Sequence, residues 1–275
     1  MKRQRAADSL IVAADELDWL TFTTLATQEG WRVPRNEVAL HEAATISQAW
    51  ALRKGGATVG LVTGLQHRQS AWIGNLIIDP QERGKGYGVA LFEEVVDKLR
   101  AAGATTIWLT ASEQGAPLYA ARGFRNVGKI ERWIRAAGGD GAEIEADQAA
   151  GRIEIDAAVW GDHRGPLLTH LESPGYWLQT GESLALLQEG EDLQIIGPWY
   201  RSPQPQDDAA LLTRLIAAAR PGQELVVDLF AGSGCQGLLS AAGFILRGGT
   251  GLMVAGTPMV DWSRLAALAT LGSCG

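Results

Sequence analysis

The sequence predicts an α+β protein built from two related halves, and three observations carry that prediction. The first half reads helix, β-meander, helix, strand, helix, strand. A glycine-rich turn, Arg83-Gly84-Lys85-Gly86-Tyr87-Gly88, stands between an apolar strand and an amphipathic helix. The second half repeats the same series in degraded form. With 275 residues, a hydrophobic content of 46% and a charged content of 20%, the composition is that of a soluble globular chain with a substantial core.

Each element has its own signal. Residues 15–28 predict an amphipathic helix, with Leu17, Leu20 and Leu25 among its apolar positions and Gly30 as its stop. Strands follow at 46–53 and 57–65, joined by the hairpin turn Lys54-Gly55-Gly56. The apolar run 71–78 reads as a buried strand closed by Asp79-Pro80. Leu91, Phe92, Val95, Val96 and Leu99 then recur at helical spacing over 89–99. A strand at 105–110, a short helix at 116–122 and a strand at 130–135 complete the half. The stretch 136–141, rich in glycine and alanine, marks a boundary between a domain at 1–138 and a second at 139–275. In the second half, hairpin strands at 183–188 and 193–196 flank Glu189-Gly190-Glu191, and Ile196-Gly197-Pro198-Trp199 echoes Ile73-Gly74-Asn75-Leu76. A helix at 208–219 and a strand at 224–230 follow, and Leu238 to Phe244 lies over Leu118 to Phe124.

Strand, glycine turn and helix form an arrangement that holds a phosphate. Glycine lets the backbone approach closely, and the first helical turn presents unpaired N–H groups. Arg83 and Lys85 add charge of the right sign. No Gly-Lys-Ser/Thr ends the turn, so it is not a nucleotide P-loop. A dinucleotide fold would place an acid at the next strand end, and none appears before Glu113.

The spacing Arg-x-x-Gly-x-Gly resembles the acetyl-CoA pyrophosphate loop of the GNAT acetyltransferases. Leu118-Tyr119, three residues, then Gly123-Phe124 resembles that family's second motif, in the right order and at the right separation. The resemblance covers roughly the first half. It implies the acyl-CoA N-acyltransferase (GNAT) fold, a mixed central sheet flanked by helices, with acetyl-CoA as cosubstrate. It also implies that Leu76, Ile77 and Ile78 contact the pantetheine through their backbone. Arg83, Gly84, Lys85, Gly86, Tyr87 and Gly88 would form the phosphate site. Tyr119 matches the residue that protonates the departing thiolate; a phenol with a pKa near 10 is protonated at neutral pH, though a tyrosine there also packs in a core. Ser112 stands where the family usually has Asn, and its hydroxyl replaces one amide contact but not both.

The second half resembles the non-catalytic GNAT-like C-terminal domain of two-domain bacterial acetyltransferases of the YitH type. It has no glycine between Gly197 and Gly222, prolines at Pro203 and Pro205, acids at Asp207 and Asp208, and Leu239 in place of the tyrosine. Prolines remove donors and carboxylates repel phosphate, so no second CoA site is expected.

The implied reaction is direct transfer of acetyl from acetyl-CoA to a primary amine of a small molecule or peptide, in a ternary complex. Freeing an alkyl amine of its proton at pH 7 costs on the order of 4–5 kcal/mol. A base is therefore expected; Glu29 and Glu113 are conceivable, and nothing in the sequence selects one. His41, His67, His163 and His170 share no face or short spacing and receive no role.

A non-catalytic acetyl-CoA sensor is the alternative from another class. S-adenosylmethionine methyl transfer is a further one, because Val226-Val227-Asp228-Leu229-Phe230-Ala231-Gly232-Ser233-Gly234 reads like a methyltransferase motif. That strand comes late, after a meander, with no Asn/Asp-Pro-Pro-Tyr after it. The net charge of −7 argues against nucleic acid as the main partner. No apolar run approaches a membrane span, and the basic start Met1-Lys2-Arg3-Gln4-Arg5 leads into acids rather than a signal core. Cys235 and Cys274 form neither a metal pair nor a disulfide framework, and a cytoplasmic protein without metal is the expectation. The oligomeric state is left open.

Overall fold

The computed structural model describes residues 9–43, 46–143, 145–147 and 149–275; Met1-Lys2-Arg3-Gln4-Arg5 and Asp8 lie outside them. The first half runs β1 (Ser9–Ala13), α1 (Glu16–Gln28), α2 (Arg35–Glu42), β2 (Ser47–Lys54), β3 (Ala57–Gln66), β4 (Ser70–Ile78), α3 (Tyr87–Ala101), β5 (Thr106–Ala111), α4 (Ala116–Ala120) and β6 (Arg125–Arg135). The second runs α5 (Arg152–Trp160), α6 (Gly165–Leu171), β7 (Gly175–Thr180), β8 (Ser183–Gln188), β9 (Leu193–Tyr200), α7 (Pro205–Ala218), β10 (Glu224–Phe230), α8 (Gln236–Ala241), β11 (Ile245–Ala255) and β12 (Leu265–Ala267).

The described strands form one 12-stranded mixed sheet in the order β1-β2-β3-β4-β5-β11-β6-β10-β12-β9-β8-β7. The order contains an exchange. Strand β11 of the second half pairs with β5 of the first, and β6 of the first pairs with β10 of the second. β6 and β11 also pair with each other, from Ile134↔Ile245 to Arg125↔Val254. β6 of the first half and β11 of the second are thus each inserted between strands of the other half.

Alternation along the strands separates the faces. Leu61 and Ile77 face α1 with Ala49, while Val62, Ile73 and Ile78 face α3 with Trp50. Trp72 and Trp108 face a core that both halves share, with Trp160, Leu168, Phe230 and Leu252. There Trp160 stands edge-on to Trp72 and Trp108 at centroid separations of 6.2 and 5.5 Å, and Trp262 bridges Trp108 to Phe230. This ring cluster accounts for part of a composition with ten tryptophans and five phenylalanines.

Several boundaries differ from the sequence reading. Leu17 and Leu20 face outward, 70% and 61% exposed, because the buried stripe of α1 is Trp19, Phe22, Leu25 and Ala26. α7 begins at Pro205 rather than 208, since proline at the first helical position has no amide to lose. α3 begins at Tyr87, directly after Gly86. β6 and β9 are longer than expected, since both run as inner strands beside partners from the other elements. The structure adds β1, α2, α5, α6, β7, β11 and β12 to the elements the sequence predicts.

Candidate functional site

The site is set by where β4 and β5 part. They pair in parallel at Ser70↔Thr106, Ala71↔Ile107 and Trp72↔Trp108 and then diverge. Past Trp72 the edge of β4 facing β5 is therefore open. Within that open stretch, Val62 of β3 stands opposite both Asn75 and Leu76, a bulge with Asn75 at φ 55. A bulge re-aims backbone groups, here at the mouth of the parting.

Below β4 the chain makes one 3-10 turn at Pro80–Glu82 and enters the glycine loop. Gly84 and Gly86 take φ 76 and 85, conformations that suit glycine, and the space where a Cβ would stand is empty. Gly86 caps α3 without a side-chain bond, so the amides of the first turn are unspent. Both loop cations are engaged: Arg83 pairs with Glu29 at 2.5 Å and donates to the Ile78 carbonyl at 3.0 Å, while Lys85 pairs with Glu82 at 2.9 Å. The anion-holding capacity of the loop thus rests on amides rather than on free side chains.

A cleft of about 350 Å³ opens at the parting. Leu76, Ser112 and Tyr119 line it; Ile77 and Ile78 turn their side chains into the cores on either face of β4. Tyr119 packs on Phe92 at 4.9 Å between centroids, and burial pushes its hydroxyl up to about 12, so it stays protonated at neutral pH. Ser112 accepts from the Gly115 amide at 3.1 Å, which stabilises the entry to α4.

The cleft also contains residues that sequence reasoning missed. Trp31, Arg32 and Glu37 come from the α1–α2 segment, Arg132 from β6, Asp228 from β10, Arg247 to Thr250 from β11, and Leu271 to Ser273 from the C-terminal segment. Arg132 holds Asp228 with two bonds of 2.7 Å and donates to the Leu271 carbonyl at 2.9 Å. Glu29 and Glu113 are not among the lining residues. His41 is buried behind Asn75, and desolvation lowers it to about 3, which keeps it neutral; His67 is lowered likewise by burial.

The second half shows the same parting, filled. β9 and β10 pair in parallel at Leu193–Ile195 with Glu224–Val226, and Gly197 and Pro198 bulge opposite Leu186. Beyond that point β12 enters, pairing Ala267 with Trp199 on one side and with Leu229 on the other. A Cβ on Gly197 would stand 2.1 Å from the Leu268 carbonyl oxygen, and one on Gly74 2.3 Å from that of Ser273. The C-terminal segment thus plugs the second parting and runs on to the base of the first. There Trp72 Nε1 and Thr110 Oγ1 both donate to the Gly272 carbonyl, at 3.1 and 3.0 Å. Asp208 is consumed by Ser183, Ser202 and Arg201, and Gly232 to Gly237 form a short turn into the six-residue α8 rather than a cofactor loop.

Residues 12–124 match the model of the acetyltransferase (GNAT) family. A candidate acetyltransferase from Pyrococcus horikoshii superposes with a TM-score of 0.82 at 17% identity, covering 100% of this chain and 99% of that one. A GCN5-related N-acetyltransferase from Sphaerobacter thermophilus gives 0.64 at 17% identity, covering 94% of this chain and 98% of that one. One from Anabaena variabilis gives 0.56 at 12% identity, covering 90% and 72%. The chain has the mixed α+β GNAT fold, and the first two structures match it over nearly their full length. No curated protein matches the chain. Among the described residues, no group of three or more His, Cys, Asp or Glu is placed to hold a metal ion, and no helix is long and apolar enough to cross a membrane.

Proposed function

We propose that the protein is an N-acetyltransferase that carries acetyl from acetyl-CoA to a primary amine of a small molecule or peptide. The observation that carries this reading is the open edge of β4 past Trp72, leading directly to the unspent amides of α3. Pantetheine lies along β4 beside Leu76, Ile77 and Ile78 as an added strand would, and the pyrophosphate rests on the loop from Arg83 to Gly88. The amine attacks the thioester carbonyl carbon, whose developing charge meets the amides around the Asn75 bulge. As the C–N bond forms, the C–S bond breaks and Tyr119 gives its proton to the sulfur. The amine proton leaves to a base, from which solvent returns a proton to Tyr119. The products are an acetamide and free CoA. On this reading the domain at 1–138 carries the transfer site, and the one at 139–275, a non-catalytic partner of the YitH kind, supplies cleft walls without a CoA site of its own.

Acetyl-CoA at a hundredfold over its Kd should stabilise the protein by about 2.7 kcal/mol. Gly86→Glu places a carboxylate where the phosphate should sit, and Gly86→Ala imposes the same backbone strain without the charge. A thermal shift that survives in Gly86→Ala and vanishes in Gly86→Glu supports the loop assignment; an equal shift in both removes it. Release of CoA with a panel of primary amines separates the enzyme from an acetyl-CoA sensor.

A further inference from the structure

Given the transfer reaction proposed above, we infer that Glu37 is its general base, and that the C-terminal segment of the other half holds it in place. The amine proton needs an acceptor inside the cleft. Among the lining residues the carboxylates are Glu37 and Asp228, and Tyr119 adds a phenol. Tyr119 is protonated and suits the sulfur side. Asp228 has each oxygen bonded to Arg132 at 2.7 Å, and a carboxylate clamped on both oxygens is a poor proton acceptor. Glu37 remains.

Its surroundings fit the task. Glu37 is 2% exposed, on α2, and its carboxylate accepts from the Ser273 hydroxyl through one oxygen and from the Leu271 amide at 3.2 Å through the other. Both donors are neutral, so neither removes its basicity as a guanidinium pair would. Ser273 is also the residue whose carbonyl oxygen would stand 2.3 Å from a Cβ on Gly74, next to the Asn75 bulge where the proposed mechanism polarises the thioester. The base, the segment that holds it and the reacting centre are thus consecutive in space.

Burial raises the Glu37 carboxyl to about 7, against the lowering effects of Ser273, the Leu271 amide and Arg132, with Asp228 adding to the rise. A carboxylate with that pKa is matched to accepting a proton at neutral pH. The other ionisable groups around it are the Cys274 thiol, itself raised by burial and by Glu37; His41 on the same helix, held neutral by burial; and Arg32 and Arg247 on the cleft wall. The second half therefore serves catalysis by supplying both hydrogen bonds that orient the base.

The test uses the full chain, with acetyl-CoA and a panel of lysine, a polyamine and a peptide with a free N-terminus; the acceptor is the panel member used best, or water where none is used. Glu37→Gln should lower kcat/KM at pH 7 by roughly 10²-fold or more while the acetyl-CoA thermal shift stays at the wild-type value. Ser273→Ala removes a bond that favours the charged carboxylate, so its acidic limb should move to higher pH with the plateau retained. The carboxyl infrared band lost in Glu37→Gln should titrate near 7 in the wild type. Transfer within threefold of wild type in Glu37→Gln, an unmoved limb in Ser273→Ala, or titration of that band in the ordinary carboxyl range overturns the inference and leaves the acetyl-CoA reading standing. Loss of the acetyl-CoA shift in the wild type would instead strike that reading itself.

Discussion

Replacing Trp160 with alanine should destabilise both halves of the molecule together. Trp160 belongs to α5 of the second half, is 5% exposed and packs edge-on against Trp72 of β4 and Trp108 of β5. The Arg164 guanidinium lies over its ring at 4.2 Å. Truncating a buried tryptophan to alanine costs about 3–5 kcal/mol, within which each aromatic pair accounts for roughly 0.5–1.5 kcal/mol. For a chain of this size that lowers Tm by roughly 6–20 °C, at about 2–4 °C per kcal/mol. The exchange of β6 and β11 ties the sheet of each half to the other, so the loss should appear as one shifted transition. Far-UV circular dichroism and the temperature at which acetyl-CoA protection disappears report on the whole chain and on the first half separately. Two transitions, one of them still at the wild-type temperature, would refute the reasoning. Trp160→Phe supplies the control: it keeps ring contact and deletes an indole N–H that has no partner, and leaving such a donor unmet costs about 1–3 kcal/mol. It should fall far closer to wild type than alanine does.

Tyr119→Phe should lower kcat roughly 10²–10⁴-fold with little change in acetyl-CoA affinity, because in the proposed mechanism the hydroxyl acts as charge develops on sulfur; steady-state kinetics beside calorimetric titration checks this, and an unchanged kcat returns Tyr119 to the core. Titration calorimetry should give one CoA per chain, since β12 occupies the second parting; a stoichiometry of two sinks that account. Glu37 is held near 7 against an ordinary 4.5, so its contribution to stability is full below about 4.5 and is lost as pH rises through 7, a cost on the order of 3 kcal/mol above that range. Glu37→Gln should therefore lose less stability than wild type between pH 4.5 and pH 8, and parallel Tm curves would contradict the assignment. Asp156→Ala leaves the 2%-exposed Arg164 without its partner at 2.5 Å and should cost about 3–5 kcal/mol by denaturant unfolding, with a loss below 1 kcal/mol counting against a buried pair.

What the sequence made legible were features with local signatures. The glycine loop, the helical stripe of α3 and the Leu118–Phe124 motif each declare themselves within a dozen residues. Glu37 does not. It sits in the eight-residue α2, whose N-cap Pro34 makes no side-chain bond, and in sequence it looks like one more surface glutamate. The hydroxyl that bonds its carboxylate belongs to Ser273, 236 positions away. The strand exchange was hidden for a similar reason. Strands pair through backbone groups that every residue carries, so the side chains of β6 and β11 carry no mark of their partners. β12 is three residues of leucine and alanine, which favour helix as readily as strand, and the slot it enters decides its conformation.

That slot explains how two halves with the same kind of parting present one cleft. Both halves have parted strands and a bulge, at Asn75–Leu76 and at Gly197–Pro198. A parted sheet exposes unpaired backbone groups, and burying them unpaired is costly, so each parting needs an occupant. In the second half the occupant is the protein's own strand, which pairs on both edges. The same segment then reaches the first parting and, instead of filling it, stops at its base, where Gly272 takes bonds from Trp72 and Thr110 and Ser273 reaches Glu37. Closure of the second parting and completion of the cleft at the first are thus the work of one segment. A variant that loosens residues 268–273 should therefore impair transfer in the first half before it opens any site in the second.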